Sequence, residues 1–360
     1  MQSTSHELLA EEAFAWTARW ATLEPQPAFV DPSHRWRIRS SLQKATRRGQ
    51  ADRAVRMGLA LHRLDPRYAW RSILTVAVED VGIGAPEIVL WATAAQRSAF
   101  RKAVGELPLL IGLIRRMAAA TKSRSAIELA FVVETGEPKI FELFSGMTTG
   151  ELLRRFEDDD PYEAFAAISV LRGIVPTKQR LRPPDPRGVQ AVLEMLGDLA
   201  DPTIGRAAAV ALQHPLDNMS LGFVTVARLA GPRWLRHDEM PPGRMIDGYP
   251  AETFDQHERL GRKAIGLFAR DTPGVPLALG LLPSTRRQKV IADAIFVMEG
   301  QCLDRWHGGG DLDRLRAEAD RFTMTRHGLG AVEGAEIVAW TRSRIEELHS
   351  IRTAVVRAAS

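Results

Sequence analysis

RYAWRSILTVAVEDVGIGAPEIVLWATAAQRSAFRKAV, residues 67–104, decides how this chain is to be read. Its apolar residues recur at offsets of three and four, the spacing of one helix face. Gly82 and Gly84 interrupt the pattern and Pro86 restarts it. Glycine just past a helix and proline at its first position are the expected asymmetry. The stretch predicts helices over 67–81 and 86–104 joined by a tight turn. Glu79 and Asp80 then fall in the last turn of the first helix.

The same period extends along the chain. Leu9, Phe14, Trp16 and Trp20 sit at helical offsets in 6–23, and further helices are predicted from Pro32 to Arg48 and over 50–64, 107–121 and 123–134. The second half repeats the pattern over 255–270, 283–306, 311–324 and 333–356. FVVET (131–135) and FVTVA (223–227) are β-branched, but each lies inside a longer helical pattern. The predicted fold class is therefore all-α, a helical bundle. The acidic run FEDDDPYEA (156–164) marks a boundary between a domain over 1–155 and a second helical domain over 156–360. Asp160-Pro161 suits a helix start. VPTKQRLRPPDPRG (175–188) reads as a linker, and 231–254 as a long irregular loop, the kind that is often functional.

Composition narrows the class. The chain has 360 residues, 45% hydrophobic and 26% charged, with a net charge of +4. Only seven of its 48 basic residues are lysine. A single cysteine, Cys302, excludes an internal disulfide and fits a reducing compartment. No run reaches the ~18–20 apolar residues of a membrane span. The N-terminal MQSTSHELLAEEAF has no basic segment before an apolar core, so the expected location is the cytoplasm.

Glu79 and Asp80 lie where carboxylates oppose the helix macrodipole by up to about 1 kcal/mol. Burying them unpaired costs far more. The predicted remedy is an acid–arginine latch between helices, with Arg71 as the first candidate partner and Arg67 or the arginines of the preceding helix as others. A catalytic carboxylate pair is the alternative, but the neighbouring sequence brings no histidine or third acid to it.

SSLQKATRRGQADRAVRMGLALHRLDPRYAWRSILTVAVEDVGIGAPEIVLWA (40–92), followed by LPLLIGLIRRMAAATKSRSAIELA (107–130), resembles the C-terminal helical region of the replication-associated recombination protein A (RarA/MgsA) family of AAA+ ATPases. EDVG at 79–82 and KSRSA at 122–126 occur in that family's order, and the similarity covers about 38–130. Gln43 departs from a histidine in the family's pattern. The resemblance implies a clamp-loader-collar-like N-terminal domain, self-assembly, and work with single-stranded DNA and its binding protein. It does not imply an ATPase, because G-x-x-x-x-G-K-[ST] occurs nowhere in the sequence.

Two basic clusters are candidate DNA contacts. Lys44, Arg47 and Arg48 share a helix face, with Trp36 nearby to stack a base; Arg115, Arg116, Lys122 and Arg124 form the second. A polar site is also predicted beside the 231–254 loop. There Asp255 and Glu258 form a capping box, and His237, His257 and Arg262 project nearby. Metal-ligand spacings such as H-E-x-x-H are absent, and no cofactor is expected. The sequence thus predicts a non-ATPase accessory protein in DNA maintenance or mobile-element biology. It would form homo-oligomers, stay off the membrane, and bind DNA, a separate ATPase or a single-strand-binding protein. The alternative is an enzyme acting on nucleic acid or nucleotides at 231–263.

Overall fold

A computed structural model describes residues 2–20, 34–136, 139–174, 183–214, 218–229, 233–308 and 311–359. The chain is all-α. The first group of helices is α1 (Gln2–Thr17), α2 (Arg35–Arg47), α3 (Ala51–Leu64), α4 (Pro66–Val76), α5 (Pro86–Ala94), α6 (Ser98–Val104), α7 (Glu106–Ala119) and α8 (Ser125–Gly136). Then come α9 (Ile140–Ser145), α10 (Thr149–Glu157), α11 (Pro161–Arg172), α12 (Pro186–Gly197), α13 (Pro202–Gln213) and α14 (Asn218–Arg228). The last group is α15 (Arg259–Asp271), α16 (Leu277–Gly280), α17 (Ser284–Glu299), α18 (Asp311–Thr325), α19 (Ala331–Ser343) and α20 (Ile345–Arg357).

Among the described residues, four helices begin at the same dipeptide. Asp65, Asp160, Asp185 and Asp201 each precede a proline at the first helical position, and each side chain accepts from a backbone N–H two or three residues on. The proline forfeits an N–H that would have no partner, and the carboxylate satisfies the next ones, for about 1 kcal/mol per cap.

The segment read as an irregular loop carries short strands. β1 (Arg233–Arg236), β2 (Met245–Ile246) and β3 (Tyr249–Pro250) lie within it. β2 and β3 form a hairpin through Asp247 and Gly248, both at positive φ. β1 pairs antiparallel with β4 (Arg305–Gly308), whose first two residues fall at the end of the helix predicted over 283–306. Strands of two to four residues are too short to display a period-two pattern. Two predicted long helices are each broken in two, 86–104 near Ala95–Arg97 and 333–356 at Arg344.

The main core runs from Leu9 through Leu152, Phe156 and Phe165 to Leu260 and Ala264. It continues across the predicted boundary at 155/156, which falls inside α10. The acids Asp158–Asp160 there form the exposed turn between α10 and α11. A smaller core begins with Ile265 and Phe268 on α15 and includes Ile291, Ile295, Ile337 and Leu348. Both α15 and α20 contribute to each core, so they join the two. Close packing of α2, α3 and α7 depends on Gly58, where a Cβ would stand 2.2 Å from Ile114 Cδ1. No helix among the described residues is long and apolar enough to cross a membrane.

Candidate functional site

Glu79 and Asp80 lie in a π-helical turn, Ala77–Val81, that follows α4. Their partner is on α2: Arg47 Nε donates to Asp80 Oδ1 at 2.7 Å, and its Nη2 donates to Glu79 Oε1 at 3.0 Å. Gln43 Nε2 donates to Asp80 Oδ2 at 3.0 Å. Arg124, from the start of α8, adds ion pairs of 3.5 Å to Asp80 and 3.7 Å to Glu79. The acids therefore tie α2, the end of α4 and α8 together. Arg71 and Arg67 are exposed and take no part. Eight residues span about 2.2 helical turns, so Glu79 is already rotated some 80° from Arg71, and the π turn moves it further out of register. Burial, with Asp80 alongside, lifts the pKa of Glu79 above the usual carboxylate value. The two acids hold the Arg47 pKa above its ordinary value despite the burial that opposes it.

The glycines after the acids let another strand of chain approach. Gly82 has φ of +50, and a Cβ there would lie 2.6 Å from Ser123 O. At Gly84 a Cβ would lie 2.3 Å from Thr121 O. Ser123 N donates to Asp80 O at 2.9 Å, so the KSRSA segment packs directly on EDVG. Lys122 donates to the carbonyls of Ala118 and Ala120 at the end of α7, where a cation complements the helix dipole. Burial pushes its pKa down. Arg124 Nη1 donates to Gly300 O at 2.8 Å.

Three further cations on and just after α2 are also engaged within the molecule. Lys44 pairs with Asp255 at 3.0 Å, Arg37 pairs with Glu258 at 2.9 Å, and Arg48 pairs with Glu252. Lys44 and Arg47 are only 8% and 3% exposed. The face that the sequence offered to DNA is thus a buried seam, with Arg47 against Glu79 and Asp80 and its neighbours against acids that lie more than 200 residues later in the chain. Lys122 and Arg124, at 2% and 8%, are equally inaccessible. Arg115 and Arg116 point elsewhere. Arg115 pairs with Asp52 at 2.7 Å and stacks on Trp20, while Arg116 stacks on Trp16 and Trp91.

The predicted polar residues divide in the same way. Glu258 itself caps α15, accepting from Gly261 N at 2.7 Å. Asp255 is not the cap. It accepts from Trp36 Nε1 at 3.3 Å, Ser40 Oγ at 3.1 Å and Lys44. Burial would raise the Asp255 pKa, but the Lys44 ammonium and the His257 N–H outweigh it and hold it below the usual range. His257 is exposed, its ring 5.4 Å from that of Trp36. His237 lies apart from these, paired with Asp304 at 2.7 Å. Among the described residues, no three His, Cys, Asp or Glu side chains come together as a metal site.

Two concavities among the described residues bear on function. One is a cleft of about 410 Å³ where α2, α8, α17 and α18 converge, with Trp36 and His257 at its α2 side and Phe131 and Phe296 among its apolar walls. The other is an open groove of about 480 Å³ between α15 and α17, lined by Arg262, Lys263, Arg270 and Arg287 with the hydroxyls of Ser284 and Thr285. Arg262 Nη1 donates to His257 O at 3.0 Å, and Arg270 pairs with its neighbour Asp271 at 2.6 Å. No acidic side chain lines this groove.

No family model, curated protein or solved structure matches this chain. The assignment of a site therefore rests on the geometry alone. Sequence reasoning placed Arg262 and Lys263 together at the start of this helix but missed Arg270 and Arg287 as their companions. The α15 residues were visible as a basic helix start in DQHERLGRK (255–263). What brings the TRRQK start of α17 beside it is the packing of α15 on α17, which no spacing along the chain encodes.

Proposed function

We propose that the protein is a non-ATPase, nucleic-acid-binding accessory factor in DNA maintenance or mobile-element biology, and that the α15–α17 groove is its DNA-binding face. The observation that carries the reading is the groove's lining of four cations and no carboxylate. Arg259 and Lys289 are exposed on the same two helices and extend the positive surface. Arg259, Arg262 and Lys263 are spaced i, i+3, i+4, so they share one helix face. Such a row can follow a phosphate backbone without reading sequence. The internal pairing of Lys44, Arg47 and Arg124 removes α2 and the KSRSA segment from that role.

The resemblance of 38–130 to the RarA/MgsA collar region supplies the cellular setting. In this reading the protein works in the cytoplasm, assembles with copies of itself, and serves a separately encoded ATPase or a single-strand-binding protein.

The test is fluorescence anisotropy with single-stranded and duplex oligonucleotides between 50 and 200 mM salt. Affinity is expected to fall steeply with salt, with a log–log slope of about −0.7 to −0.9 per phosphate contacted. The double variant Arg262→Glu, Lys263→Glu is expected to bind at least about tenfold more weakly and with a shallower slope. Arg71→Glu, on the exposed face of α4, is expected to bind as the parent does. Salt-independent binding, or equal affinity in the double variant, would refute the assignment.

A further inference from the structure

The central cleft contains six acidic side chains, and five of them are engaged. Glu79 pairs with Arg47, Asp255 with Lys44, Glu128 with Arg305, Asp293 with Arg326, and Glu299 with Arg352. Asp320, on α18, forms no hydrogen bond and no ion pair within 4 Å among the described residues. Its electrostatic neighbours are Glu128 of α8, Arg316 of its own helix, Arg305 of β4, and Arg124 just before α8. The second oxygen of Glu128, Oε2, is buried and has no hydrogen-bond partner. Buried carboxylate oxygens are normally satisfied, so an unsatisfied one beside an unpaired carboxylate calls for a donor from outside the chain. A hydrophobic wall formed by Ile127, Phe131, Ile295, Phe296 and Val297 lies in the same cleft. Its aromatic faces already accept cations: the Arg326 guanidinium lies 5.8 Å from the Phe131 centroid, and that of Arg124 lies 5.9 Å from Phe296. The volume of about 410 Å³ is in the range that holds a small organic ligand.

We propose that this cleft is a binding site for a small organic cation, an amine or amidine on a flat apolar body, held by Asp320 with the body against Phe131 and Phe296. The ammonium donates to Asp320 and approaches the uncovered side of Glu128, while the aromatic walls take the apolar part. The site is separate from the α15–α17 groove, and its occupant does not depend on DNA binding.

The experiment is isothermal titration of the full chain at pH 8 with benzylamine, and with neutral benzyl alcohol as the isosteric control. Benzylamine is expected to bind saturably in the millimolar range, and benzyl alcohol at least about tenfold more weakly, since a charge-assisted hydrogen bond is lost. Asp320→Asn is expected to reduce benzylamine affinity about tenfold or more while leaving the fold intact. Ile127→Trp, which fills the cleft without touching charge, is expected to abolish it. Equal binding of the two probes, unchanged affinity in Asp320→Asn, or no saturation by 10 mM benzylamine would overturn the proposal. Binding of Ca²⁺ in place of the amine, lost in Asp320→Asn, would overturn the ligand class.

Discussion

Replacing Asp320 by asparagine is expected to stabilise the protein, by an amount that depends on pH. Burial, with the Glu128 carboxylate nearby, pushes the Asp320 pKa from the ordinary 3.8 up to about 6, against the pull of Arg316, Arg305 and Arg124. The fold therefore favours the protonated acid. Below about pH 4 the group is protonated whether folded or not, and it has little effect on stability. As pH rises from 4 to 6 the unfolded chain releases its proton first, and stability falls; above 6 the full penalty is present. Each pKa unit corresponds to about 1.4 kcal/mol, so the displacement corresponds to at most about 3 kcal/mol at pH 8 and about half that at pH 5. Asparagine is neutral throughout. Urea unfolding of the parent and Asp320→Asn should show the variant more stable by about 1–3 kcal/mol at pH 8, with the advantage roughly halved at pH 5. A difference that does not change with pH, or a variant less stable at pH 8 than at pH 5 relative to the parent, would refute the reasoning. A destabilising carboxylate kept in a cleft is also what a binding residue looks like, because function often retains groups that stability would discard.

Other consequences follow from the latch. Arg47→Met leaves Asp80 with Gln43, and both acids with only the longer ion pairs to Arg124, and should lower the unfolding free energy by about 3–5 kcal/mol. Arg71→Met, on an exposed surface, should change it by less than about 0.5 kcal/mol; equal effects in denaturant titrations would contradict the pairing. Gly82→Ala places a Cβ 2.6 Å from Ser123 O at a positive φ, so calorimetry should show a loss of about 1–3 kcal/mol. An unchanged melting temperature would mean that the KSRSA segment does not pack on EDVG.

The helical class was legible because the 3.6-residue period runs through nearly every segment, and the Asp-Pro starts mark several helix beginnings directly. The burial of Glu79 and Asp80 could be argued from their surroundings, but the choice between Arg71 and Arg47 could not. That choice depends on a π turn, a local widening with no residue signature of its own. The basic face of α2 was misleading for a related reason. A row of cations looks the same whether water or acid faces it, and here the acids are Glu79 and Asp80 for Arg47 and, for its neighbours, Glu252, Asp255 and Glu258, more than 200 residues away. Asp320 gave no signal at all, since its character comes from its burial in the folded cleft and from Glu128, on a different helix. The groove is a product of helix packing and was half visible at best.

The most direct measurement is lysine acylation read by mass spectrometry on the folded protein, with and without an oligonucleotide. Lys44 and Lys122 are buried, whereas Lys102, Lys139, Lys263 and Lys289 are exposed. The account expects Lys44 and Lys122 to stay unlabelled in both conditions. Lys263 and Lys289 should label readily and become protected by DNA, while Lys102 and Lys139 label either way. Rapid labelling of Lys44 that DNA suppresses, with Lys263 indifferent to DNA, would contradict it and return the interface to α2.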